Sequence, residues 1–299
     1  MQRRKFIQNT TFIIAGLALL SNKSVAEFLA DPAWKIKMLN DNMGVFTEKG
    51  GTILFMISKD GIVVVDAEFP EQSQHLIGEL KKRSGQPFRL LINTHHHADH
   101  SAGNIAYKGL VKNVVAHSNS KINQQRVAVE KKNEDQQLYP DQTFDTLWSK
   151  NIGGEKLNLH YFGAAHTNGD AFIHFKKANI VHVGDLVFNR RHPFIDRTAG
   201  ANIASWIQVL DKADSTFDNK TTFVCGHALD GYDIVIKKED VKAFRNYLSS
   251  LLVFVQGEIK AGKTKEEILK ATQIPGAPEW KGDGIDRPLT AAYEELTSS

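Results

Sequence analysis

Apolar strand-like runs alternating with amphipathic helical stretches predict an α/β protein. Three observations carry that expectation. Branched runs recur between glycine-containing turns from Met43 to Asp66. Helical patterns then separate further strand-like runs, as between Pro70 and Leu80. After His227, residues Val241, Phe244, Leu248, Leu251, Val255 and Ile259 recur at helical spacing, so a long amphipathic helix is expected to cover a sheet. Periodicity alone leaves a doubly wound sheet open.

The first strands are Gly44–Thr47, Thr52–Ile57 and Ile62–Val65, a meander with turns at Lys49-Gly50-Gly51 and Lys59-Asp60-Gly61. Pro70 suits the first position of a helix whose buried face carries Leu76, Ile77 and Leu80. A further helix is expected from Ala102 to Tyr107, then a strand over Asn113–Ala116. Residues 119–145, with Lys131, Lys132, Glu134 and Asp135 at their centre, read as a solvated surface and a possible rim of a site. Strands are expected at 155–162, 171–175 and 179–183, a loop from Val187 to Asp196, and a helix burying Ile203, Trp206, Ile207 and Leu210. Thr264-Lys265-Glu266-Glu267 is a capping-box start for a last short helix. His117, His160, His174 and His182 are expected to be hydrogen-bonded at or within strands.

Residues 1–26 hold Arg3, Arg4, Lys5 and Lys23, no acidic residue, and an apolar core from Thr11 to Leu20. That core is about half the length needed to cross a bilayer. With Ser24 and Ala26 it describes a signal peptide cleaved after Ala26, leaving 27–299 as one domain. The chain is formally +3. Removing four positive side chains leaves it slightly acidic, so the pI of 8.7 is no argument for nucleic acid or for an anionic membrane after cleavage. The partner expected is a small-molecule substrate. Cys225 is the only cysteine, which excludes a disulfide within the chain and reads as a small buried hydrophobe.

The chemistry gathers at Thr94-His95-His96-His97-Ala98-Asp99-His100. This stretch leaves the end of Phe88-Arg89-Leu90-Leu91-Ile92, a run that reads as a buried strand. Imidazoles at His95, His97 and His100 with the carboxylate of Asp99 are a nitrogen and oxygen set suited to zinc or another borderline ion. The bland alternative is a solvated histidine-rich loop.

At these residues the chain resembles the metallo-β-lactamase-fold hydrolases, whose signature is His-x-His-x-Asp-His at a strand end. Ala165-His166-Thr167-Asn168-Gly169-Asp170, Gly184-Asp185 and Gly226-His227 resemble the later motifs of that family, in the same order. The resemblance covers roughly residues 43 to 230. It implies a four-layer αβ/βα sandwich. It also implies two metal ions per chain, expected to be zinc, with iron or manganese as alternatives. His95, His97 and His166 would hold the first ion, Asp99, His100 and His227 the second, and Asp185 both. Asp66 would support the site rather than bind metal. Asp99 and Asp185 are the carboxylates expected at the reacting centre, where a hydroxide shared by the ions would be the nucleophile. Gln2-Arg3-Arg4-Lys5-Phe6-Ile7 resembles a twin-arginine export motif, which implies a periplasmic protein folded before export.

Three activities follow from the resemblance. The first is an exported zinc hydrolase of esters, lactones, thioesters or amides. The second is a true β-lactamase, against which stands Asp185, since the lactamases place cysteine or serine there. The third is an iron-dependent oxidoreductase of the same fold, persulfide dioxygenase-like. Beyond Asp185 the loop carries Arg190, Arg191 and His192, a basic triplet from which a cation is expected to reach the mouth of the site and pair with a substrate carboxylate.

Overall fold

The computed structural model describes residues 33–298, so the signal peptide expected at 1–26 lies outside the described residues. A short strand β1 (Lys35–Met38) precedes the expected meander of β2 (Met43–Thr47), β3 (Ile53–Ser58) and β4 (Gly61–Val65). Helix α1 (Pro70–Arg83) begins with Pro70 in its first turn, where an absent N–H leaves no bond unmade. It leads to β5 (Phe88–Ile92), the short helix α2 (Ala98–Ser101) and a 3₁₀ turn at Ala102–Tyr107, then β6 (Asn113–His117), α3 (Ser118–Lys131) and β7 (Gln142–Phe144). Among the described residues these seven strands form one sheet in chain order, and β4 to β7 run parallel.

The second half repeats the plan. Strands β8 (Leu147–Ile152), β9 (Glu155–His160), β10 (Phe172–Phe175), β11 (Ile180–Asn189), β12 (Thr222–Ala228) and β13 (Val235–Ile236) form a second sheet in the order 13-12-11-10-9-8. Helix α4 (Ile203–Thr216) makes the parallel crossover from β11 to β12. The long α5 (Lys238–Lys260), the short α6 (Lys265–Ile268), with its Thr264 and Glu267 capping box, and α7 (Asp286–Thr297) follow.

Alternation along the strands assigns the layers. Ile173 and Val224 belong to the core between the sheets, with Leu54, Val63, Ile92 and Leu159, whereas their neighbours Phe172 and Phe223 face outward. That outer face packs on Trp206 and Leu210 of α4 and on Phe244, Leu248 and Leu251 of α5. Strand β11 is buried along its whole length, its polar His182, Asp185 and Asn189 included. The result is two sheets face to face between helices, the αβ/βα sandwich implied by the motifs.

Four segments differ from the expectation. The run from Val187 to Asn189 continues β11 instead of starting a loop, because a register shift at Gly184 lets the strand resume pairing at Phe188 and Asn189. The stretch 119–145 contains a full helix, α3, whose buried face is Ser120, Asn123, Gln124 and Ala128. A polar inner face gives no apolar period to read. The 102–107 helix is 3₁₀. Helix α7 is not among the expected elements; its buried face is Pro288, Leu289, Ala291 and Ala292, two of them alanines.

Candidate metal centre

Parallel strands leave their carboxyl ends along one edge of each sheet, the usual position for a ligand site in an open α/β sheet. Asp66 follows β4, Thr94 to His100 follow β5, and Asp185 and His227 come from the paired β11 and β12. Asp66 is fully buried with a left-handed φ of 64°, so its conformation is one that only surrounding structure can maintain. Its carboxylate accepts from the Thr94 N–H at 2.8 Å, from Thr94 Oγ1 at 2.8 Å and from His100 Nδ1 at 2.8 Å. One buried carboxylate therefore fixes the start of the histidine loop and the last of its imidazoles.

The hydrogen bonds also fix tautomers. His95 Nδ1 lies 3.0 Å from Thr94 Oγ1, whose hydrogen is already given to Asp66, so the imidazole donates and its Nε2 is left with a lone pair. His166 donates from Nδ1 to the Phe194 carbonyl at 2.8 Å, freeing Nε2. His97 donates from Nε2 to Asp196 Oδ2 at 3.0 Å, freeing Nδ1. The three freed nitrogens converge: His97 Nδ1 is 3.1 Å from His95 Nε2 and 2.9 Å from His166 Nε2. Three acceptors pointing at one another with no hydrogen between them repel, and a cation in their midst converts that repulsion into ligation. Burial keeps His95 well below the ordinary histidine range and takes His166 down to about 3, both reinforced by neighbouring imidazoles, so each is neutral as a metal ligand must be.

Asp185 completes this cluster and joins it to a second. Its Oδ2 is 3.9 Å from His95 Nε2, 3.5 Å from His166 Nε2 and 3.5 Å from His227 Nε2, while its Oδ1 is 3.1 Å from His100 Nε2. His227 Nε2 lies 3.0 Å from Asp99 Oδ2. Ligand atoms of His95, His97, His166 and Asp185 fall within 4.8 Å of one another, as do those of Asp99, His100 and His227. A tetrahedral ion with bonds near 2.05 Å places its ligands about 3.3 Å apart, and these separations bracket that value. His100 Nε2 and Asp185 Oδ1 are both buried without a hydrogen-bond partner, which points to a missing third party.

Charge makes the same case. Burial alone would lower His100, but the carboxylates of Asp185, Asp66 and Asp99 more than reverse this and hold it well above the ordinary range. Burial would likewise raise Asp99, yet His100 and His227 bring it down to about 2. Several carboxylates around one imidazole form a site built for more positive charge than the chain supplies, which divalent ions would provide. The seven residues expected as ligands are thus brought together. His96 approaches Asp196 at 3.6 Å, on the side of the His97 ring away from this convergence.

Packing leaves no slack around these groups. A Cβ on Gly226 would fall 2.1 Å from Asp185 Oδ1, and one on Gly184, which has a left-handed φ of 51°, would fall 2.4 Å from Thr94 Oγ1. Glycine at both positions allows two sheets to close around the ligands.

Over the centre lies a cavity of about 310 Å³ whose walls include Asp99, Asp185, Phe188, Phe194 and His227. A neighbouring groove of about 280 Å³, bordered by His96, His97, Ser101 and α3, meets it at His97 and Phe194. Of the basic triplet, Arg191 and His192 line the cavity. Arg190 does not. Its guanidinium pairs with Asp240 at 3.0 Å and Glu279 at 3.2 Å and stacks over Tyr232 and Trp280, pinning the end of β11 to the C-terminal region. His192 is also braced, 3.0 Å from the Tyr247 hydroxyl. A second arginine reaches the cavity from α7, Arg287, which the sequence did not single out. An isolated Arg-Pro pair in a tail carries no motif to find it by.

The four histidines expected at or within strands lie there, and His117 and His182 are hydrogen-bonded as expected. His117 caps α3 by accepting from the Asn119 N–H, donates to the Asp145 carbonyl at 3.0 Å and stacks on Tyr161. His182 bridges the sheets through the Thr52 carbonyl at 2.9 Å. His160 and His174 lie beside Phe217, each with a buried Nε2 that lacks a partner. Cys225 is buried, and burial pushes its thiol well above the ordinary cysteine range, far from thiolate chemistry.

The fold and the two ligand clusters define a metal-dependent α/β sandwich, and comparison with known proteins agrees. Residues 47–227 match the metallo-beta-lactamase superfamily, to which this chain belongs. Metallo-beta-lactamase IND-1 of Chryseobacterium indologenes is 24% identical over 225 residues, 72% of this chain and 90% of that protein. A solved metallo-beta-lactamase from Pontibacter korlensis superposes with a TM-score of 0.60 at 21% identity, over 72% of this chain and 99% of that one. The sec-alkylsulfatase Pisa1 from Pseudomonas sp. superposes at 0.69 with 13% identity, over 88% of this chain and 50% of its own. Both structural likenesses establish the fold.

Proposed function

We propose that this chain is an exported dinuclear zinc hydrolase that cleaves an ester, lactone, thioester or amide bond in a small molecule. The observation that carries the reading is the convergence of seven ligand side chains on two points with the Asp185 carboxylate between them. The ligand chemistry, five imidazoles and two carboxylates, favours zinc among borderline ions. Two such ions, when bound, supply Lewis acidity and lower the pKa of water.

The chain's own residues do the rest. His95, His97 and His166 are presented in fixed orientations by Thr94, Asp196 and the Phe194 carbonyl. Asp185 is recessed, whereas Asp99 stands in the cavity wall with its side chain 31% exposed. Ionised at neutral pH, Asp99 is the carboxylate placed to orient a water and hold its proton at Oδ2 or Oδ1. Phe188 and Phe194 narrow the cavity and limit bulk water.

Elemental analysis of the purified protein is expected to find two zinc ions per chain, with ester or lactone hydrolysis abolished by chelation and restored by zinc. One tightly held iron and no hydrolysis would overturn the proposal. The similarity to IND-1, which extends over most of that protein, favours β-lactam hydrolysis as a second reading. Turnover of a chromogenic β-lactam faster than of lactones and esters would select it. Export by the twin-arginine route to the periplasm rests on residues 1–26. Replacing Arg3 and Arg4 by Lys should retain the protein in the cytoplasm, as cell fractionation would show.

A further inference from the structure

The arginines among the described residues divide by partner, with Arg89 donating to the Asp60 carbonyl at 2.7 Å. Arg83, Arg126, Arg190, Arg197 and Arg245 each pair with a carboxylate of the chain. Arg191 and Arg287 pair with none among the described residues, although both are exposed and free to find one. These two line the same cavity, the one above Asp99, Asp185 and His227. They arrive from separate parts of the chain, one just past β11 and the other from the first turn of α7. Burial lowers the pKa of His192, and Asp286, next to Arg287 in sequence, only partly opposes this, so the imidazole adds no lasting positive charge to the cavity. Two guanidinium groups without a carboxylate partner give this cavity a positive charge that an entering anion would complement.

We propose that Arg191 and Arg287 form a two-armed anion clamp beside the metal centre, so that the substrate carries a carboxylate or sulfate group close to the bond that is broken. This rests on the hydrolase reading above and names its substrate class. The planar forks of guanidinium suit either oxyanion in a bidentate geometry. A cavity of about 310 Å³ holds a small molecule, so the anion and the reacting bond share one space. Arg287 lies beyond residues 47–227, so one arm of the clamp comes from the C-terminal region and the other, Arg191, from the segment that matches the superfamily.

The test compares the zinc-loaded parent with Arg191→Gln, Arg287→Gln and the double variant. The probes are p-nitrophenyl acetate, mono-p-nitrophenyl succinate and p-nitrophenyl sulfate, with calorimetric titration of inorganic sulfate as a readout independent of turnover. Each single variant should raise KM for the succinate ester about tenfold at unchanged kcat, as expected for a lost charged hydrogen bond that binds ground and transition states equally. The acetate ester should be unaffected, and sulfate should bind more weakly by a similar factor. Preferential turnover of the sulfate ester by the parent would assign sulfate over carboxylate as the group recognised. Equal changes for acetate and succinate esters, or sulfate affinity unchanged in the double variant, would overturn the clamp. If the parent hydrolyses none of the three probes, esters are struck from the hydrolase reading, and the sulfate titration still decides the clamp.

Discussion

The two ligand clusters use the same side-chain types but are held differently. In the first, all three imidazoles are fixed from behind by protein groups, Thr94, Asp196 and the Phe194 carbonyl. In the second, His100 is locked by Asp66, while Asp99, 31% exposed, and His227 face chiefly each other and Asp185. Preorganised ligands lose little freedom on binding, whereas that pair must be ordered by the ion itself. In the dinuclear centre proposed above, the first cluster would thus retain an ion and the second present one to substrate.

The most damaging test removes what the clusters share. Asp185→Asn deletes the charge between them, and turnover should fall by at least about 10³, the scale of losing a key electrostatic group. Metal content should drop below two per chain by elemental analysis. Two ions with near-parental turnover would show that the clusters do not depend on this carboxylate.

Asp99→Ala should separate them. Turnover should again fall by about 10³, but zinc titration should still show one equivalent bound as tightly as in the parent. Simultaneous loss of both equivalents would break the distinction drawn between a retained and an exchangeable ion.

A smaller effect is expected behind the ligands. Asp196→Ala unties His97 alone, so only the first zinc constant should weaken, by about 10- to 100-fold. Asp66→Ala unties His100 directly and His95 through Thr94, so both constants should weaken by comparable factors. Competition titration against a chelator of known affinity measures both. Identical behaviour of the two variants would mean that Asp66 acts on the fold rather than on the ligands.

How much of this was legible in the sequence follows from the range of each interaction. The ligands were visible because imidazoles two and three apart after a branched strand form a local pattern, and the later motifs repeat it in a known order. The supports were less visible. Asp196 lies 99 positions from the ring it orients, and nothing local marks an aspartate after Pro-Phe-Ile as its partner. Helix α3 escaped because its inner face is polar, and α7 because alanines carry its packing. The triplet shows the limit most clearly. Arg190 and Arg191 are adjacent and chemically identical, yet a left-handed φ of 60° at Arg190 sends the first toward Asp240 and Glu279 while the second lines the cavity. Only the backbone path distinguishes them.

The smallest effect is expected where a histidine is conspicuous in the sequence but remote from the clusters. His117 is neutral by construction: burial lowers its pKa, Nδ1 accepts from the Asn119 N–H, and Nε2 donates to the Asp145 carbonyl. His117→Ala should therefore leave kcat and both zinc constants unchanged. It should cost about 2 kcal/mol of stability at pH 7.5, the sum expected for a lost helix cap and a lost ring stack. The pH dependence gives the sign. Because the folded-state pKa lies below the ordinary histidine value of 6.5, the unfolded chain takes up a proton there first, and the contribution of His117 shrinks as pH falls below that value. Denaturant melts of parent and variant should thus differ most above pH 7 and converge on acidification. A gap that widens in acid would mean that His117 is charged in the fold, and a loss of zinc on its removal would make it part of the metal site.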